Sequence, residues 1–295
     1  LNQSLYMLYP SRLPERMMAV FPPVIPEPGR VVKRISASDA EIKELEIDHF
    51  TTCHLFNPPL SLIKQLPKHP AVTLSFDSIP TQEMFPWIKP YPVHVPSLAL
   101  RSIFRQHGIS AEVVHPCPVK LNSLSDSRRQ SRKRFHLYRK QLLWIDDRLI
   151  NARHRPFILH TLQNIVKQYP ELKVGWVTKR LTGSINGFTL IHPERAERER
   201  LWAAADYLLT AGPVQQSLTP LHLQFLSMGI PVITAEGGDH DEWVNHLFSG
   251  VVLNRKYLQK ELRKYLNLLL RQPRLVSQLR NNGRILVNSL LELKQ

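Results

Sequence analysis

The sequence predicts an α/β protein made of two domains, each with its own parallel sheet, facing a cleft. Three observations predict it. Short continuous apolar runs such as Ala71–Phe76, Asp206–Ala211 and Pro231–Thr234 alternate with helix-length segments, as expected for strands buried on both faces of a parallel sheet. Gly108 follows the helical stretch Leu98–His107, and Gly229-Ile230-Pro231 separates a helix ending at Met228 from the next apolar run; both are helix-stop signals. The chain has 295 residues, 43% hydrophobic and 21% charged, enough for two folded domains with separate cores.

The first 35 residues read as Pro-rich and irregular, with Met17–Phe21 and Arg30–Ile35 as candidate strands and Ala40–Leu45 as a short polar helix. His49–Leu55 is a strand, followed by Pro58-Pro59 and a helix through Leu66. Ala71–Phe76 is a clearer buried strand, ended by Asp77 and Pro80. Strand Pro92–Val95, helix Leu98–His107 and strand Ala111–His115 close a first domain, residues 1–122. Residues 123–140 are polar and basic, the composition of an interdomain linker. The second domain, 141–295, opens with strand Leu142–Asp146, then helix His154–Gln168 and strands Lys173–Thr178 and Phe188–Ile191. A charged helix around Glu194–Ala204 leads into strand Asp206–Ala211, the helix through Met228 and strand Pro231–Thr234. Strand Gly250–Leu253 and helices Tyr257–Leu270 and Arg274–Leu291 finish the chain; the last helix has an apolar stripe that packs on a domain.

Composition narrows the function classes. Two cysteines, Cys53 and Cys117, make no disulfide framework and no metal-ligand pair, so a reducing, cytoplasmic setting is expected. There is no apolar run of spanning length, and the first twenty residues lack the basic-then-apolar order of a secretory signal. The net charge of +15 favours anionic partners such as nucleotides, acidic membrane surfaces or nucleic acid. Arg128–Lys140 (RRQSRKRFHLYRK) concentrates this charge. The expected role is a solvated connector face, with peripheral contact to an acidic membrane next and nucleic acid last, because no nucleic-acid-binding motif accompanies it.

Several motifs sit where strands end. Asp147-Arg148-Leu149-Ile150-Asn151-Ala152-Arg153-His154 follows the first strand of the second domain. Gln216 and Gln224 are spaced eight apart across Ser217, Leu218, Thr219 and Pro220, ahead of Gly229-Ile230-Pro231-Val232 and Gly237-Gly238. In the first domain, Val93–Val95, Pro96-Ser97, Gly108 and Val113–His115 run into Pro116–Asn122. Over roughly residues 92–285 this order resembles the retaining GT-B glycosyltransferases of the group 1 type. Their pattern has G-R-L-x-x-x-K-G after the first strand of the second domain, a Glu-x7-Glu pair, G-x-P-V and a Gly-rich turn. The resemblance implies two Rossmann-like domains, here with a shortened N-terminal domain that lacks a Gly-rich loop after its first strand.

The resemblance also implies a metal-independent transfer of sugar from a nucleotide diphosphate sugar to an unidentified acceptor, with no cofactor. Negative charge grows on the departing diphosphate and must be stabilised. Arg148 matches the family's Arg and Arg153 replaces its Lys with charge retained, so both are catalytic candidates. Gln216, Ser217, Leu218, Thr219, Gln224, Gly237 and Gly238 are the nucleotide-sugar-binding candidates, with Gln224 toward the ribose. Both family carboxylates are amides here, and Gln216 cannot carry negative charge or act as a base. Where the family places a His after a first-domain strand, this chain has Asp77, with His54 as the nearest alternative; either could orient or deprotonate an acceptor hydroxyl. An Asp after a strand more often caps the next turn, which is the alternative role for Asp77. Asp239, His240 and Asp241 have metal-ligand residue types but no second ligand cluster, and no metal is expected. Two further readings stay open: a degenerate relative that binds without turnover, and a basic nucleic-acid binder.

Overall fold

The computed structural model describes residues 4–9, 31–36, 52–66, 72–114, 125–134, 136–137, 140–179, 184–193, 195, 201–214 and 217–292. Gln216 and the expected elements Met17–Phe21 and Ala40–Leu45 lie outside them. No described helix is long and apolar enough to cross a membrane. The chain divides into two compact units, Leu1–Cys117 with Gln215–Pro220, and Pro118–Val214 with Leu221–Gln295.

The first unit holds a six-stranded sheet of β1 (Ser4–Tyr9), β2 (Val31–Ser36), β3 (Thr52–Phe56), β4 (Val72–Ser75), β5 (Val93–Val95) and β6 (Ala111–Val113), in the order β2-β1-β3-β4-β5-β6. Every adjacent pair is parallel. β1 corrects the irregular start read from the sequence: it pairs with both β2 and β3, so it is a central strand. Helices α1 (Leu60–Ile63), α2 (Phe85–Ile88) and α3 (Leu98–Gln106) accompany the sheet. Leu55, Leu74, Val93 and Phe104 belong to one buried cluster, and Phe104 meets Phe76 and Phe85 at ring-centroid distances of 5.5 and 5.6 Å. The Ser97 hydroxyl caps α3 by accepting from Leu100 N–H at 3.2 Å, and Gly108 follows its last turn with φ 70°, the left-handed stop expected there.

The second unit begins with α4 (Ser125–Arg134), then β7 (Gln141–Ile150), α5 (Arg155–Gln168), β8 (Leu172–Val177) and β9 (Phe188–Ile191). A 3-10 turn (Leu201–Ala204) leads to β10 (Tyr207–Ala211), α6 (Thr219–Ser227), β11 (Val232–Ala235) and β12 (Gly250–Leu253). A second 3-10 turn (Arg255–Tyr257) precedes α7 (Leu258–Arg271) and α8 (Pro273–Glu292). The sheet order is β12-β11-β10-β7-β8-β9, again with all pairs parallel. Side chains alternate faces along a strand, and both faces are covered here. Leu143 and Ile145 join one buried cluster, while Leu142 and Trp144 join another. Gly175 stands opposite Trp144 in register; a Cβ there would come within 3.1 Å of the indole, so the small residue makes room for the large one.

The basic segment does not present a uniformly solvated face. On α4, Arg128 donates to the carbonyls of Ala203 and Ala205 at 3.1 and 2.7 Å, and Arg132 to those of Ala204 and Lys140 at 3.1 and 2.9 Å. Both also bind the Asp206 carboxylate, at 3.0 and 2.8 Å, and Arg280 of α8 reaches it at 3.2 Å. Two charges expected to face solvent or an anionic partner are thus committed to docking α4 on its own unit. The other basic residues on α4 with described side chains, Arg129 and Lys133, are exposed.

Candidate functional site

The second sheet reverses its direction of winding between β10 and β7, the first strand of the unit lying between strands that lead away in opposite senses. Ligands of open parallel sheets bind outside the carboxyl ends of the strands at such a switch point. The two loops at this point are joined directly: Asn151 N–H, just past β7, donates to the Ala211 carbonyl at the end of β10 at 2.7 Å. Residues 151–154, 212–214 and 236–238 therefore form the rim where a ligand of this unit is expected.

The structure separates the two arginines singled out in the sequence. β7 runs to Ile150, beyond the expected end at Asp146, so Arg148 lies inside the strand rather than in the loop. Its Nε and Nη2 bind the Asp146 carboxylate at 3.0 and 2.6 Å. Arg153 is in the loop proper; its N–H is held by the Asn151 side chain at 3.0 Å, and its exposed guanidinium makes no hydrogen bond or ion pair among the described residues. Arg155 begins α5 and is committed to Asp147 at 2.8 Å. That carboxylate also accepts from Trp176 Nε1 at 2.8 Å and from the Thr178 hydroxyl at 2.5 Å, which fixes the start of α5 against the end of β8. The positive end of the α5 dipole lies beside Arg153.

Gly237 and Gly238 form a turn after β11 with φ 103° and 69°. A Cβ on Gly238 would lie 2.5 Å from the Val214 carbonyl oxygen, so the loops after β10 and β11 approach as closely as backbone allows. Neither glycine's N–H has a hydrogen-bond acceptor among the described residues. Successive backbone amides without acceptors in a turn are groups that can serve an anion.

The remaining nucleotide-site candidates among the described residues are buried. Gln224 lies on α6 at 5% exposure, and Ser217, Leu218 and Thr219 are at 1% or less. Residues 215–220 group with the first unit, where Ser217 N–H donates to the Asp77 carbonyl at 2.7 Å. The amide of this nucleotide-sugar-binding candidate already has an acceptor. Asp77 itself is buried and exchanges hydrogen bonds with Asn57: its carboxylate accepts from Asn57 Nδ2 at 2.5 Å, and its N–H donates to Asn57 Oδ1 at 3.1 Å. This pairing ties the end of β4 to the residue after β3 and engages one oxygen of the carboxylate.

The structure adds residues the sequence did not single out. Arg255, the second residue after β12, donates Nη1 to the Gly212 carbonyl and Nη2 to His240 Nδ1, both at 2.9 Å, and Nε to the Glu236 carbonyl. Arginine has only donors, so His240 Nδ1 is the acceptor of this bond. Beneath the turn, His222 of α6 shares a hydrogen bond with the Thr210 hydroxyl at 3.0 Å, which donates to Thr234 at 3.0 Å. Burial, then the neighbouring His240, pushes the His222 pKa down to about 3 against the weaker pull of the His240 backbone; Nδ1 of His222 makes no hydrogen bond of normal geometry. His154 is also lowered, by burial and then by the charge of Arg255, with a bond to the Ala211 backbone opposing. Among the described residues, no three of His, Cys, Asp and Glu are grouped to hold a metal ion.

In the first unit His54 bonds Ser75 Oγ at 2.5 Å and meets His94 edge-on at 5.8 Å; burial, then His94, pushes its pKa down to about 4. An unfolded histidine titrates near 6.5, so between about pH 6.5 and 4 the unfolded chain takes up protons that the native state refuses. Stability from this group is complete above pH 6.5 and falls as the pH drops through that window. Urea unfolding at pH 7 and pH 4.5 should show the loss, and His54→Gln should flatten the histidine-dependent part of the slope; an unchanged slope would remove His54 as its source.

No protein-family model matches this sequence, and no curated protein matches it. Solved structures do. The chain is similar to HepE of Anabaena, solved in complex with UDP and glucose, with 12% identity and a TM-score of 0.72 over 97% of this chain and 94% of that one. It is similar to a glycosyltransferase from Rickettsia africae, with 10% identity and a TM-score of 0.67 over 98% and 94%. It is also similar to WaaG, a glycosyltransferase involved in lipopolysaccharide biosynthesis, with 13% identity and a TM-score of 0.67 over 96% and 95%. At these identities the shared property is the fold.

Proposed function

We propose that the protein is a retaining-type glycosyltransferase of the GT-B kind, taking a nucleotide diphosphate sugar as donor, with the second unit as the donor side and the first as the acceptor side. The carrying observation is the rim at the β7/β10 switch point, where the exposed Arg153 guanidinium and the Gly237 and Gly238 amides all lack acceptors among the described residues. A diphosphate needs both kinds of group: cations to neutralise it and fixed N–H dipoles to orient it. Fold similarity to structures that hold UDP and UDP-glucose supports the same ligand class. Arg148 acts at most after releasing Asp146, and Gln224 offers an amide in place of the family's carboxylate for the ribose. The exposed positive charge supports peripheral contact with an acidic membrane surface.

Calorimetry with UDP, GDP and ADP and their common sugars tests the reading. Saturable micromolar binding is expected, with Arg153→Ala weakening it about tenfold or more, the scale of one charge-assisted contact, and leaving the unfolding midpoint unchanged. No binding of any member would overturn it. A second reading, binding without turnover, is favoured by the Asn57-bound Asp77 carboxylate and the Asp77-bound Ser217 amide. It predicts donor binding with no release of free sugar and no transfer to any acceptor.

A further inference from the structure

Arg255 contacts three consecutive features of the rim. Its Nε donates to the Glu236 carbonyl, Nη1 to the Gly212 carbonyl and Nη2 to His240, while its own N–H is within 3.3 Å of the Glu236 carboxylate. The Glu236 carbonyl belongs to the same peptide unit as the Gly237 N–H. A trans peptide is planar, so its C=O and N–H point in opposite directions, and no cis peptide bond is present in the described chain. Holding that carbonyl against the guanidinium therefore turns the Gly237 amide the other way, toward the side on which it has no acceptor among the described residues. Glycine at φ 103° has little steric resistance to a peptide flip, so the orientation needs an outside restraint.

We infer that Arg255 is a positioning residue for anion binding: by pinning the Glu236 carbonyl and His240 it holds the Gly237-Gly238 turn with its amides outward for the phosphates of a nucleotide diphosphate. The inference rests on the donor-site reading above and assigns that turn its restraint. His240 is fully buried, and its ring faces His222 at 6.5 Å. The Thr210–Thr234 pair bonded to His222 lies on β10 and β11. The restraint is thus backed by the sheet. Burial lowers the Arg255 pKa, with Glu236 and then Asp241 opposing, as suits a cation that serves backbone carbonyls from inside the rim.

The test compares native protein, Arg255→Lys and Arg255→Met, using the nucleoside diphosphate that binds the native protein best, its parent nucleoside and inorganic pyrophosphate as probes. Arg255→Met should weaken the diphosphate and pyrophosphate at least tenfold and leave nucleoside affinity within twofold; Arg255→Lys, which can still hold one carbonyl, should recover part of the loss. The Gly237 amide resonance should shift in Arg255→Met without ligand. Equal loss for the nucleoside, or native phosphate affinity in a folded Arg255→Met, would overturn the inference while leaving the donor-site reading in place. If Arg255→Met does not fold, native pyrophosphate affinity and an unshifted Gly237 amide in Arg255→Lys would overturn it. Absence of binding by the native protein would overturn both.

Discussion

Asp206→Ala is expected to lower the free energy of unfolding by about 3 kcal/mol, near the lower end of the range for breaking a buried charge pair. The carboxylate is 8% exposed and is shared by Arg128, Arg132 and Arg280, whose side chains are 34%, 27% and 35% exposed. It also accepts the Leu142 N–H at 3.0 Å at the start of β7. Removing it leaves three cations facing one another and one buried amide unsatisfied. The guanidiniums can rehydrate because each is about a third exposed, which keeps the cost from rising further. Asp206→Asn should cost less, since an amide oxygen can still serve Leu142. Equilibrium urea unfolding at pH 7 measures both, and a loss below about 0.5 kcal/mol for Asp206→Ala would show that the arginine cluster does not stabilise the unit.

Gly238→Val should abolish nucleotide binding while the protein stays folded. Two costs act together. A non-glycine residue at φ 69° carries roughly 1 kcal/mol of backbone strain, and a Cβ 2.5 Å from the Val214 carbonyl oxygen forces the turn away from the loop after β10. Gly229→Ala is the matched control. Its φ of 67° imposes the same strain, but the added Cβ meets the movable end of the Arg284 side chain. Calorimetry should find binding lost in the first variant and retained in the second, with similar shifts in unfolding midpoint for the strain they share. Binding retained in Gly238→Val would remove the glycine turn from the site.

These two positions differ in how readily sequence reveals them. Gly238 is legible: a Gly-Gly pair after an apolar run marks a turn wherever it occurs. Asp206 reads only as the first residue of a strand, because its partners lie 64 to 78 residues away along the chain. The basic run at 128–140 shows the same limit. Composition supplied its charge, but the fold decided that Arg128 and Arg132 turn inward while Arg129 and Lys133 stay exposed.

By itself the sequence determined the α/β class and most of the parallel strands. Continuous apolar runs bounded by Gly and Pro are enough to specify strands buried on both faces, as at β4, β10, β11 and β12. β1 escaped because it is flanked by Pro-rich sequence and owes its central place to pairing with β2 and β3. The sequence also placed Arg153 and Gly237-Gly238 at strand ends. Only the tertiary structure decided which candidates are available: Arg148 is tied to Asp146 because β7 continues past it, Asp77 is tied to Asn57, and the Ser217 amide to Asp77. It likewise brought in Arg255, which follows β12 without any motif and finds its acceptors 15 to 43 residues away. Local patterning sets where a chain is buried and where it turns, whereas the availability of a polar group depends on which distant partner reaches it first.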